Sequence, residues 1–188
     1  MKYLYALCIA LSFCFCTDRR LAKEVTQIIN RQIVLTNDLV VVGENQDTVL
    51  NNFMKAPIKL LVWYDSLSCA TCEVGKMIEW NAIIKYAASF GSWFNILFLF
   101  TPQKQDVFRV KIALRTHELD YPLFIDQNAS FVKLNPQLPK NRQLHTFLLD
   151  KNNKVVMAGN PLYNPALWRL YISAIQKMIA NDGVLPDN

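Results

Sequence analysis

Two apolar runs, Ile58-Lys59-Leu60-Leu61-Val62-Trp63-Tyr64 and Phe94-Asn95-Ile96-Leu97-Phe98-Leu99-Phe100, bracket a stretch of helical periodicity, and that order leaves few folds open. Runs so short and so nearly continuous read as strands buried on both faces, which need helices above and below them. Between them, Glu73 to Phe90 places Val74, Met77, Ile78, Ile84 and Ala88 on one helical face and Lys76 and Glu79 on the other. This predicts one long helix stopping near Gly91. Asp106 to Leu119 reads as a further helix with Val107, Val110, Ala113 and Leu114 inward, and Tyr121 to Asp126 as a short strand whose Pro122 puts its start at a sheet edge. Thr146–Leu149 and Val155–Ala158 flank the turn formers Asp150-Lys151-Asn152-Asn153, a hairpin pattern. Asn164-Pro165 supplies an N-cap and a proline at the first helical position, opening a helix through Trp168, Tyr171, Ile175 and Ile179 to Asp182-Gly183. Strands alternating with helices predict an α/β fold with one mixed sheet covered on both faces.

Upstream of this pattern, Arg19 to Gln32 carries Leu21, Val25, Ile28 and Ile29 at helical spacing and predicts an amphipathic helix packed on the domain edge. Ile33 to Leu50 contains the short runs Ile33–Leu35 and Leu39–Val42 between turn residues and predicts one or two strands rather than a helix. The 188 residues suit one domain with its own core, and a hydrophobic content of 52% excludes a disordered chain.

Tyr3 to Cys16 is an almost wholly apolar run of 14 residues, preceded by Lys2 and ended by Thr17-Asp18-Arg19-Arg20. A bilayer-spanning helix needs about 20 residues, so the run suits the h-region of an export signal. Cys16 before Thr17-Asp18 resembles the loose lipoprotein signals of some Gram-negative bacteria and is the preferred lipid acceptor. Cys14 after Leu11-Ser12-Phe13 is a second candidate, and a plain secretory signal or an uncleaved anchor stay open. The division read from the sequence is 1–16 as signal, 17–56 as an N-terminal extension and 57–182 as the main domain. Of the five cysteines, Cys8, Cys14 and Cys16 fall in or at the end of the signal, which leaves Cys69 and Cys72. A disulfide closing so short a loop gives little entropic stabilisation, so the pair is not there as a staple.

Cys69-Ala70-Thr71-Cys72 stands between a buried strand and a helix. That position offers the first sulfur free backbone N–H groups and the helix dipole, both favouring a thiolate. Cys69 is read as the nucleophile and Cys72 as the resolving thiol, attacking the mixed disulfide one turn further in. With Leu60-Leu61-Val62-Trp63-Tyr64 leading into this dithiol and His145-Thr146-Phe147-Leu148-Leu149-Asp150 leading into Lys154-Val155-Val156, the chain resembles the thioredoxin superfamily. In particular it resembles the exported, membrane-attached thiol-disulfide oxidoreductases of the TlpA/ResA kind, and it is also similar to thioredoxin-like lipoproteins of Bacteroides-type bacteria. The resemblance runs from Ile58 to Ile179. It implies a thioredoxin-like three-layer α/β/α fold with a central mixed sheet and an N-terminal helical extension, protein thiols or disulfides as partners and no cofactor. A membrane-linked redox donor and membrane attachment through a lipid anchor complete the expected partners, with the chain in the periplasm or on the outer membrane.

Three positions depart from the family. Ser68 stands where a tryptophan usually precedes the first cysteine, and Trp63 where the buried acid beneath the dithiol is expected, leaving Asp65 and Glu73 as the nearby acids. Leu144 takes the place of the cis-proline that faces the dithiol. A cis bond before leucine costs about 3 kcal/mol, so a trans loop with altered substrate-binding backbone is expected. Leu144 and His145 are the candidate substrate-contacting residues. The second reading of the chain is a thioredoxin-fold lipoprotein of weak turnover that acts as a binding or redox-sensing module.

Other chemistries fit less well. Zinc takes four ligands, and the only histidines, His117 and His145, show no ligand spacing to the dithiol. Ser66-x-x-Cys69 has the form of a peroxidatic motif, but a resolving cysteine three residues on belongs to disulfide exchange. The net charge of +5 comes from scattered Lys and Arg, which gives no nucleic-acid stripe, and Trp80, Trp93 and Trp168 read as packing residues.

Overall fold

The computed structural model describes residues 19–42, 46–66, 70–116 and 121–186. Among the described residues, six strands form a single sheet: β1 Val40–Val42, β2 Ile58–Tyr64, β3 Phe94–Phe100, β4 Leu123–Ile125, β5 Thr146–Leu149 and β6 Val155–Ala158, in the order β1-β4-β3-β2-β5-β6. β2 and β3 are parallel, as are β3 and β4, whereas β1, β5 and β6 each join antiparallel. The helices are α1 over 19–28, α2 Gln46–Lys55, α3 Ala70–Gly75, α4 Asn81–Ala88, α5 Val107–Arg115, α6 Ser130–Leu134 and α7 Pro165–Ala180.

Alternation along the central strands divides the core in two. Leu60 and Val62 of β2, with Ile96 and Phe98 of β3, meet Ile83 of α4, Leu114 of α5 and Ile175 of α7 on one side. Leu61 and Trp63, with Leu97 and Leu99, meet Ile28, Phe53 and Phe131 on the other, from α1, α2 and α6. This is the three-layer arrangement expected from the alternation of strands and helices. The hairpin also stands where the sequence puts it: Asp150 Oδ1 accepts the backbone N–H groups of Asn152 and Lys154, both at 2.8 Å. Asn164 Oδ1 caps α7 by accepting from Leu167 N at 3.0 Å, with Pro165 in the first turn.

Four local expectations are corrected. The segment before β2 contains a helix, α2, because Leu50, Phe53 and Met54 recur at spacings of three and four, and all three pack on the side of the sheet that carries Leu61 and Trp63. The long helix after the dithiol is broken: α3 stops at Gly75 and a 3-10 turn over Met77–Trp80 precedes α4. Gly75 weakens the helix there, and a 3-10 turn eclipses residues three apart. Met77 and Trp80 thereby enter the core together, and Ile78 turns outward, 45% exposed. β4 is not an edge strand, since β1 covers its outer side; Pro122 lies before the strand, where its missing N–H costs no ladder bond. Trp93 is exposed rather than packed, while Trp80 is buried and Trp168 half-buried.

The N-terminal segment is tied in from both sides. Gln32 bridges Lys154, Ile33 N donates to Asn153 O at 2.8 Å, and Ile28 and Ile33 are buried.

Candidate functional site

β2 and β3 end together at Tyr64 and Phe100, and loops at the carboxyl ends of parallel strands gather on one side of the sheet. There the chain leaves β2 through Asp65 and enters α3. Cys72, the third residue of α3, is exposed and disulfide-bonded, and its partner lies outside the described residues. Cys69 and Cys16 also lie outside them, as does His117.

A cleft of ≈ 650 Å³ opens beside α3. Glu73, the residue after Cys72, lines it together with Leu144 and His145, so the dithiol helix and both residues expected to touch substrate meet at one opening. Leu21 and Val25 of α1 form a further wall, with Asn160 and Tyr163 from the connection between β6 and α7. Tyr163 Oη donates to Glu79 Oε2, fastening that connection to the 3-10 turn after α3.

Leu144 is buried and ends a 3-10 turn over Arg142–Leu144. No cis peptide bond occurs among the described residues, so Gln143–Leu144 is trans, as the leucine implies. The backbone there is occupied from within. Gln143 N donates to Asn141 Oδ1 at 3.0 Å, Gln143 O accepts from Asn160 N at 3.2 Å, and Leu144 N donates to Asn141 O at 3.0 Å.

His145 is buried against Trp63, ring centroids 4.1 Å apart and planes tilted by 31°. Its Nε2 lies 2.8 Å from the Pro139 carbonyl, which only accepts, so Nε2 carries the proton and donates. Nδ1 then faces Asp65 Oδ2 at 3.9 Å, and Arg142 Nε lies 3.5 Å from the same oxygen. Trp63 is fixed in turn by Nε1 donating to Thr101 Oγ1 at 3.1 Å. Of the two nearby acids, Asp65 thus pairs with Arg142 and stands near the unprotonated Nδ1 of His145, and Glu73 faces the cleft. Arg142, Asn160 and Tyr163 carry no sequence signal of their own. Only adjacence to the Leu144 loop could have pointed to Arg142.

Burial holds the His145 imidazole below the ordinary histidine range; the bond to Pro139 and the charge of Asp65 pull the other way, and Arg142 adds to the lowering. Folding must therefore expel a proton that the unfolded chain holds below about pH 6.5. The neutral ring's full contribution to stability is present above that pH and declines as pH falls toward the native value. The difference in Tm between wild type and His145→Gln is accordingly expected to be larger at pH 8 than at pH 5; thermal melts giving an equal difference at both would show that His145 folds with no proton linkage.

No protein-family model matches the chain, and none of the curated proteins matches it. Solved structures do. A proposed protein disulfide isomerase from Bacteroides thetaiotaomicron superposes with a TM-score of 0.51 at 17% identity, over 81% of this chain and 90% of its own. The chain is thioredoxin-like in fold. Similar too are a proposed thiol-disulfide oxidoreductase from Bacteroides vulgatus (TM-score 0.49, 12% identity, 78% of this chain and 96% of that one) and a proposed thiol:disulfide interchange protein DsbE from Chlorobium tepidum (0.46, 16%, 67% and 84%). Within the thioredoxin-like frame, two of the sequence departures now have a geometry. Trp63, in place of the buried acid, serves as the platform for His145, and Leu144, in place of the cis-proline, sits in a trans turn whose neighbouring amide and carbonyl are already bonded.

Proposed function

We propose that this chain is a thiol-disulfide oxidoreductase of the cell envelope, exported and anchored through a lipid on Cys16, with protein thiols or disulfides as its partners. The observation that carries the reading is the disulfide at Cys72, on an exposed face of the helix that follows the central strand β2 and beside an open cleft. Cys69 is the proposed partner of that disulfide and the nucleophile. In the reduced chain its thiolate attacks a substrate disulfide, forming a mixed disulfide and releasing one substrate thiolate. Cys72, on losing its proton, attacks the Cys69 sulfur, frees the second substrate thiolate and closes the internal disulfide. Two electrons pass to the substrate, whose two thiolates take up the protons that Cys69 and Cys72 lost. A dithiol donor, membrane-linked in the envelope, returns the chain to its reduced form. Leu144 and His145 are the proposed substrate contacts, within a domain spanning 57–182 behind the extension 17–56.

The internally bonded backbone at Gln143 and Leu144 favours a second reading, a binding or redox-sensing module of weak turnover. Insulin reduction driven by dithiothreitol, with a thiol titration of Cys69, decides between them. An oxidoreductase gives turnover and a thiolate formed below the range of free cysteine, about pH 8.5. No turnover and an ordinary thiol titration would leave the binding module.

A further inference from the structure

A second groove, of ≈ 760 Å³, has α1 and the turn after it as one wall and the loop Pro136–Lys140 as the other. Arg20, Lys23, Gln27 and Arg31 follow one another at spacings of three and four, which places them on one face of α1 and its C-terminal turn. Lys140 stands on the opposite wall, and it, Lys23 and Arg31 are all exposed. Among the lining residues the single carboxylate, Glu24, is already committed: Oε1 lies 3.7 Å from Arg20 Nε, and Oε2 accepts from Asn141 N at 3.0 Å. The groove is therefore cationic, and the Glu24–Asn141 bond holds its two walls together.

The other side of α1 lines the dithiol cleft through Leu21 and Val25. α1 thus partitions the two openings with the width of one helix, about 10 Å. The chain enters α1 at Arg19, three residues after Cys16 and the end of the apolar run. Three residues reach at most about 10 Å. A chain held in a bilayer at or before Cys16 must then keep the start of α1, and the cations along it, at the depth of the lipid headgroups. A single acyl chain anchors only marginally, and a cluster of Lys and Arg is the usual second contribution.

We propose that this groove is a docking surface for anionic lipid headgroups, seating α1 on the membrane so that the dithiol cleft opens beside the bilayer surface. The setting rests on the envelope reading above; the test does not. The full chain, with whatever acyl group it carries, is allowed to distribute between vesicles of phosphatidylcholine alone and vesicles of phosphatidylcholine with phosphatidylglycerol. The ratio cancels the part contributed by the apolar run and any lipid. Lys23→Gln/Arg31→Gln/Lys140→Gln is expected to lower the preference for anionic vesicles roughly a hundredfold, the effect of three cations near such a surface. Lys85→Gln/Lys104→Gln/Lys177→Gln, equal in charge and away from the groove, should stay within a few-fold of wild type, with melting curves verifying that both variants fold. Equal losses in the two variants, or no loss in the first, would overturn the proposal. Loss of heparin binding without loss of vesicle preference would assign the groove to a soluble polyanion and overturn it as well. Insulin reduction by the same variants reports on the dithiol separately, so either reading can fail while the other stands.

Discussion

Cys72→Ser is expected to accumulate a covalent adduct with its substrate, while Cys69→Ser loses insulin reduction by on the order of 10³-fold or more and traps nothing. The asymmetry follows from the order of the two attacks. If Cys69 opens the substrate disulfide, its removal leaves no first step. If Cys72 resolves, its removal leaves the first step intact and the mixed disulfide with no thiol positioned to cleave it. Cys72 lies on an exposed helix face beside the cleft, so serine there is sterically close to the thiol it replaces and the fold should be retained. Non-reducing electrophoresis of each variant after incubation with a disulfide-containing protein reads the outcome directly. Adducts on Cys69→Ser and none on Cys72→Ser would reverse the roles. Adducts on neither would leave the pair as an inert disulfide.

How far such roles could be read from the sequence depended on distance along the chain. β2, β3, the hairpin and the capped helix α7 were legible because each is encoded within its own residues: period-two and continuous apolar runs, Asp150 through Asn153 in the turn, Asn164-Pro165 at the cap. The dithiol's place at the end of β2 followed from the same local order. α2 was missed because its apolar positions, Leu50, Phe53 and Met54, straddle the end of a stretch whose first half reads as strand. The break at Gly75 was missed because a helical wheel drawn over Glu73–Phe90 counts Ile78 inward, whereas the 3-10 turn trades it for Trp80 against Phe98, ring centroids 5.3 Å apart. The cluster of Asp65, Arg142 and His145 joins residues nearly eighty positions apart, and no periodicity records such a meeting. The same holds for α1, whose sequence shows an amphipathic helix but not that it separates two openings.

The largest stability effect is expected at a buried carboxylate that caps a helix from just outside it. Asp126 is fully buried at the end of β4; Oδ1 accepts from Ser130 N and Oδ2 from Phe131 N, each at 2.9 Å, while its own N–H donates to Phe100 O at 2.8 Å. Its carboxylate satisfies the first amides of α6, where Ala129 in the left-handed region (φ 52°) offers no side-chain cap of its own. The helix it secures carries Phe131, whose ring meets Trp63 edge-on at 5.7 Å, and Trp63 is the platform under His145. α6 also supplies the Phe131 carbonyl to Asn135 Nδ2, and Asn135 pairs with both backbone groups of Val34 at 2.8 Å, binding the N-terminal segment to the same point. Asp126→Ala strands two amides near the core and removes two charge-assisted bonds, a cost of about 3 kcal/mol or more. Asp126→Asn keeps one acceptor and forces an amide N–H₂ toward the other donor, so it should lie nearer the alanine variant than wild type. Urea unfolding measures both. Because the stack runs from Phe131 through Trp63 to His145, the surviving folded fraction of Asp126→Ala should also lose the pH-dependent difference that His145 confers. A variant within about 0.5 kcal/mol of wild type would mean that water reaches those amides and that α6 is held by packing alone.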